Sequence, residues 1–270
     1  MNDRPNILWI CTDQQRYDTI GALGYHHADT PHIDGLVAKG IAFTRAYCQS
    51  PICTPSRGSF LTGMYPSAIH VTGNGNEAFP SSPPLVSKRL ADAGYDCGLI
   101  GKLHLASAYR RIEPRVDDGY RFWEYSHAPR DDWPVGHGYA DWVRQQGAVL
   151  DELTKNPQGV PAELHQTTWC AEKTIEFMHQ DRQGPWMACV NIYDPHPPFN
   201  PPRTIAICLI RPICRDRFFV RAILNSRKNW LGLTSSRSCV RPMHWIYAIH
   251  SGPNEDGLLM DACCRLLTAP

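Results

Sequence analysis

The sequence predicts an α/β protein built on a mostly parallel β-sheet with helices on both faces. Three observations predict it. Short buried-type apolar runs alternate with helix patterns through residues 1–203, the helices carry start and stop residues, and polar clusters follow the strand ends. At 270 residues the chain is long enough for one large α/β domain or two small ones.

The elements follow in order. "NILWIC" (6–11) reads as a buried strand that ends in polar "TDQQ". In "TPHIDGLVAKG", Thr30 is the predicted N-cap, Pro31 the first helical residue and Gly40 the terminator, with Ile33, Leu36 and Val37 apolar. "PPLVSKRLADAG" repeats the pattern with Val86, Leu90 and Ala93 on one face and Gly94 closing it. "YDCGLIGK" is the next strand. "HQTTWCAEKTIEFMHQ" (165–180) predicts a helix with Thr168, Ala171, Ile175 and Met178 on its stripe, and "PWMACVNIY" (185–193) a further strand.

Composition narrows the function classes. A net charge of +1 argues against a general nucleic-acid binder, and no apolar run reaches the ~18 residues of a membrane span. Asp3 and Arg4 precede the first apolar run, so no signal peptide is expected and the cytoplasm is the predicted location. Eleven cysteines with no C-x-x-C pair indicate neither a disulfide framework nor a zinc ribbon; Cys11, Cys97, Cys170 and Cys189 read as small core residues.

In sheets of this kind, ligands collect beyond the carboxyl ends of the strands. Asp13, Lys102 with His104, and Asp194 with His196 each follow a predicted strand end. Taken singly, Asp13 reads as a cap, His104 as an interior histidine, His26–His27 as a solvated pair, and Asn74 and Asn76 as turn residues. The stretch "CTPSRGSFLTG" (53–63) says more. Pro55 suits the first turn of a helix, which sets Cys53 at the positive end of the dipole, and Arg57 offers a planar fork of donors to a tetrahedral oxyanion. Unmodified, Cys53 would be a nucleophilic thiol of lowered pKa.

C-T-P-S-R resembles the C-x-P-S-R motif of the type I sulfatases, whose cysteine is oxidised to formylglycine. "TDQQ", "GKLHL" (101–105) and "DPHPPF" (194–199) stand in that family's order, so the resemblance covers residues 4–202. Leu103 replaces the family's aromatic in G-K-W-H. "TDQQRYD" resembles the branch of choline-sulfatase-like, arylsulfatase-like and phosphonate monoester hydrolase enzymes. The resemblance implies an alkaline-phosphatase-like α/β/α sandwich, here truncated, and hydrolysis of a small-molecule sulfate ester. The alternatives are a phosphonate monoester or phosphodiester substrate on the same scaffold, or a non-catalytic protein that keeps the fold with an unmodified Cys53. It further implies a divalent metal, Ca²⁺ (or Mn²⁺ or Mg²⁺), held by Asp13, Gln14 and residue 53. Arg57 would orient the formylglycine diol, His104 would be the base that releases sulfate, a role suited to an imidazole titrating near neutrality, and Lys102 and His196 would neutralise the substrate oxyanion and assist the leaving group. The implied partner in maturation is a formylglycine-generating enzyme.

The resemblance stops after Pro202. Residues 1–203 hold 18 Lys and Arg against 22 Asp and Glu, whereas residues 204–270 hold 9 against 4 and five of the cysteines. The chain is therefore divided at 203/204. No D-H or D-N pair, the family's downstream metal ligands, occurs in 204–270. Moved one base upstream, "TIAICLIRPICRDR" can be re-read as Y-R-D-L-F-D-P-A-D-L-P-G-P, which resembles the family's continuation, so a reading-frame shift is expected there. The competing reading is a divergent basic tail. On the frameshift reading, 204–270 should be poorly ordered, the sheet left exposed, Ca²⁺ bound weakly and sulfatase activity slight.

Overall fold

A computed structural model describes residues 4–24, 28–134, 136–203, 205 and, for the backbone, 245–251. Five strands form one sheet: β1 (Asn6–Thr12), β2 (Asp96–Gly101), β3 (Phe122–Tyr125), β4 (Trp186–Ile192) and β5 (Trp245–Ser251), in the order β3-β2-β4-β1-β5. The first four strands are mutually parallel, and β5 runs antiparallel along β1 from Asn6↔Ser251 to Thr12↔Trp245. The predicted mostly parallel sheet is thus present, and the outer edge of β1 is paired with β5 rather than bare.

Six α-helices lie among the described residues: α1 (Pro31–Lys39), α2 (Cys53–Thr62), α3 (Val86–Asp92), α4 (Gly138–Gln145), α5 (Leu150–Lys155) and α6 (Gln166–Met178). None is long and apolar enough to cross a membrane. Side chains along β4 alternate between two cores, as a strand covered on both faces must. Trp186, Ala188, Val190 and Ile192 join Trp142, Trp169 and Phe177 from α4 and α6. Met187 and Cys189 join Leu61, Leu85 and Leu99 on the face of α2 and α3. Cys11, Cys97, Cys170 and Cys189 are buried free thiols, as expected of core residues.

Two helix expectations need correction. Thr30 stands at the N-cap of α1 without capping it; its hydroxyl accepts from the Gly21 amide at 2.9 Å and donates to Asp34 at 2.9 Å, tying α1 to the loop after β1. In α6 the buried residues are Gln166, Trp169, Cys170, Ala171, Thr174 and Phe177, so the stripe lies one residue round from the expected one. The reason is volume: Trp169 and Phe177 remove more apolar surface from water than Ile175 and Met178. The His26–His27 pair lies outside the described residues. So does most of 204–270, and with it the expected disorder and the frameshift segment.

Candidate active site

Because β1, β2, β3 and β4 are parallel, their carboxyl ends share one rim, and backbone bonds stitch it together. The Asp13 amide donates to the Asp194 carbonyl at 3.2 Å, Lys102 to Asn191 at 3.0 Å, and Ser126 to Gly101 at 3.0 Å. Cys53 is the first residue of α2, with Pro55 in the opening turn as predicted, and Gly63 closes the helix in the left-handed region. The Thr54 amide near that end donates to the Asn74 side chain at 3.0 Å. Asn74 is therefore a partner of the α2 N-terminus and not merely a turn residue.

Asp13 is the hub. Its carboxylate is fully buried and accepts from Lys102 Nζ at 2.6 Å and from Arg57 Nη2 at 3.3 Å, while its other oxygen faces the Cys53 sulfur at 3.8 Å. Arg57, also fully buried, donates to the Lys102 carbonyl at 2.9 Å. Two buried cations against one carboxylate leave surplus positive charge among side chains shielded from solvent, where an oxyanion is stabilised more strongly than in water. Asp13→Ala leaves both cations without this carboxylate and is expected to cost about 3–5 kcal/mol. Urea unfolding reads it directly, and a midpoint equal to wild type would discount Asp13 as the hub.

His196 is held by its ring nitrogen against the Pro197 carbonyl and by its ring against Tyr193. One ligand-capable atom from each of Asp13, Cys53 and His196 lies within 4.8 Å of the others. A carboxylate and an imidazole beside the position expected to become formylglycine fit a divalent cation. Gln14 follows Asp13 with a φ of 62°, a left-handed conformation uncommon for a residue with a side chain and typical of functional sites. The Asp194 side chain does not join this group. It accepts from Thr167 at 3.3 Å and lies 3.8 Å from His165, at the start of α6.

Two electrostatic expectations change. Burial pushes the Cys53 thiol up, against the pull of Lys102, so it is not the low-pKa nucleophile that its helix position suggested. His104 is buried with a φ of 52°, and its Nδ1 has no hydrogen-bond partner among the described residues. Burial, then the charge of Lys102, drives its imidazole far below the usual histidine range, so it is held neutral rather than titrating near neutrality. A neutral imidazole is the form that can accept a proton, but one with its pKa pushed this far down accepts it only weakly.

Sequence reasoning missed Glu113, His127 and His137. His127 packs edge-on against His104, with ring centroids 4.4 Å apart, and pairs with Glu113 at 3.2 Å. Burial lowers the pKa of both His127 and His137, the latter to about 4. The rule that polar residues after strand ends build sites would have found His127, which stands two residues beyond β3, had that four-residue strand been recognised.

The sulfatase family model matches residues 5–207. The chain belongs to the sulfatase family. An arylsulfatase of Clostridium perfringens is 26% identical over 218 residues, covering 74% of this chain and 45% of that protein. An uncharacterized sulfatase, YidJ, of Escherichia coli is 28% identical over 211 residues, covering 74% and 40%. Among solved structures, the phosphonate monoester hydrolase of Agrobacterium radiobacter superposes with a TM-score of 0.60 at 25% identity, covering 76% of this chain and 44% of that one. A putative sulfatase yidJ from Bacteroides fragilis gives 0.58 at 25%, covering 79% and 50%. The chain spans less than half the length of the two curated relatives named. The alkaline-phosphatase-like α/β architecture expected of the family is the one seen here.

Proposed function

We propose that the chain is the amino-terminal part of a hydrolase that cleaves a sulfate monoester of a small molecule through formylglycine at position 53. The observation that carries this reading is the buried group of Asp13, Arg57 and Lys102 beside Cys53. Formylglycine would supply a hydrated aldehyde whose hydroxyl is the nucleophile, and a formylglycine-generating enzyme would make it from the thiol. Asp13, Gln14 and residue 53 would hold a divalent cation, Ca²⁺ by preference, and His196 stands close enough to share or border that site. The cation would supply Lewis-acid polarisation of the ester oxygens.

The protein's own side chains do the rest. Arg57 orients the nucleophile at residue 53, and Lys102 and His196 offset charge on the ester and the leaving oxygen. His104 takes the proton whose loss lets sulfate depart, once the negative charge of the bound ester offsets the Lys102 charge that helps hold its pKa down. Residues 204–270 contain no D-H or D-N pair. The division at 203/204 is therefore part of the proposal, with weak metal binding and slight activity expected of these 270 residues.

Two experiments test the reading. Mass spectrometry of the peptide spanning 46–57, from cells with the oxidising machinery, should find formylglycine; only free thiol there removes the mechanism. In a version carrying the missing metal ligands, His104→Ala should lower kcat by about 10²–10⁴-fold and leave sulfate covalently on residue 53. Normal turnover would rule out His104 as the base. A phosphonate ester is the second reading, favoured by the superposition on a phosphonate monoester hydrolase. Aryl sulfate and aryl phosphonate esters assayed side by side separate the two.

A further inference from the structure

Behind His104 lies a buried carboxylate that the reaction as drawn does not use. Glu113 follows a short 3₁₀ turn at Tyr109–Arg111, and its side chain is 3% exposed. One of its oxygens accepts from the Leu105 amide at 2.7 Å. The other accepts from the Tyr125 hydroxyl at 2.6 Å and from His127 Nδ1 at 3.2 Å. Three donors converge on one buried carboxylate, and two of them adjoin His104. Leu105 is the next residue along the chain, immediately after a backbone held at a φ of 52°. His127 presents its ring at 70° to the His104 ring, and Trp133 backs it with centroids 5.0 Å apart.

We propose that Glu113 is a positioning residue for His104, acting on its backbone through Leu105 and on its ring through His127. The inference rests on the reading of His104 as the base. Among the described residues, the His104 Nδ1 has no hydrogen-bonded partner that would fix the ring's orientation. Packing against a second ring, itself locked by a carboxylate, supplies that constraint. A carboxylate acceptor also fixes the tautomer of His127: its proton sits on Nδ1, leaving Nε2 bare.

The test uses the 270-residue chain with ¹⁵N-labelled histidine and reads ring nitrogen–proton correlations, with His127 assigned by His127→Gln. Wild type should show His127 as the Nδ1–H tautomer and a through-space contact between the His104 and His127 rings. Glu113→Gln keeps an acceptor for Leu105 but turns an NH₂ toward His127. It should swap the tautomer to Nε2–H and shift the His104 ring signals, with an unchanged circular dichroism spectrum. Tyr125→Phe removes the other donor on the same oxygen, a hydroxyl that also lies 3.4 Å from His127 Nδ1, and should leave the tautomer as in wild type because the carboxylate still accepts from Nδ1. An Nε2–H tautomer or no ring contact in wild type overturns the proposal, even if Glu113→Gln fails to fold. So do His104 signals that superpose in Glu113→Gln and wild type. These readouts are independent of turnover, whereas His104→Ala kinetics judge the base alone, so the two ideas can fail separately.

Discussion

Replacing Gly101 by alanine will cost the protein most of its folding stability. Gly101 ends β2 with a φ of 95°, a region that side chains rarely enter. A Cβ built there would stand 2.1 Å from the Asn191 carbonyl oxygen and 2.9 Å from its carbon. Both atoms are backbone of the central strand β4, so no side chain can swing aside. That same carbonyl accepts from the Lys102 amide, and relieving the clash would move Lys102 away from Asp13. A loss above about 4–5 kcal/mol is expected, the range reached by changes that break a core contact outright. Against a typical total of about 5–15 kcal/mol, much of the protein would be unfolded or insoluble. Gly35→Ala is the control, because a Cβ there meets nothing within 4 Å in the middle of α1. It should be neutral or stabilise by up to about 1 kcal/mol. Urea unfolding of both variants decides the matter. A Gly101→Ala midpoint matching wild type would show that the approach of β2 to β4 is not needed.

The other large effect is on chemistry alone. Cys53→Ala removes the sulfur from which the proposed nucleophile is made but keeps the Cβ in its place at the head of α2. Cys53 is 5% exposed and the substitution removes a single sulfur atom whose polar contact is with the Asp13 carboxylate at 3.8 Å, so stability should change by only about 1 kcal/mol. Turnover should fall by about 10⁶-fold, the scale seen when a nucleophile acting as part of a unit is deleted. The assay needs a version that also carries the D-H or D-N pair expected of the family and absent from residues 204–270, with release of the alcohol from an aryl sulfate as the readout. Retention of a tenth of wild-type turnover in Cys53→Ala would sink the covalent mechanism. Loss of activity together with loss of fold would instead assign Cys53 a structural role.

What short-range chemistry dictates was legible in the residues alone. Apolar runs of five to seven residues named β1, β2 and β4, and Pro31, Pro55, Gly40 and Gly94 named helix ends, because proline restricts the backbone and glycine frees it whatever surrounds them. The motif around Cys53 and the polar residues after β1, β2 and β4 marked the rim, since parallel strands must end on one side. Tertiary structure decided everything that depends on which groups are buried together. Only in three dimensions does Asp13 meet Arg57 and Lys102, 44 and 89 residues away. The same burial turned the Cys53 thiol from a lowered pKa to a raised one and held His104 neutral, because desolvation outweighs a helix dipole inside a core. β3 is four residues long and only partly buried, too short for alternation to register, so His127 and its partner Glu113 went unread. Side-chain volume rotated the buried face of α6 onto Trp169 and Phe177, and β5 reached β1 from more than 230 residues away. Such contacts between distant segments depend on packing, and a local pattern carries no record of them.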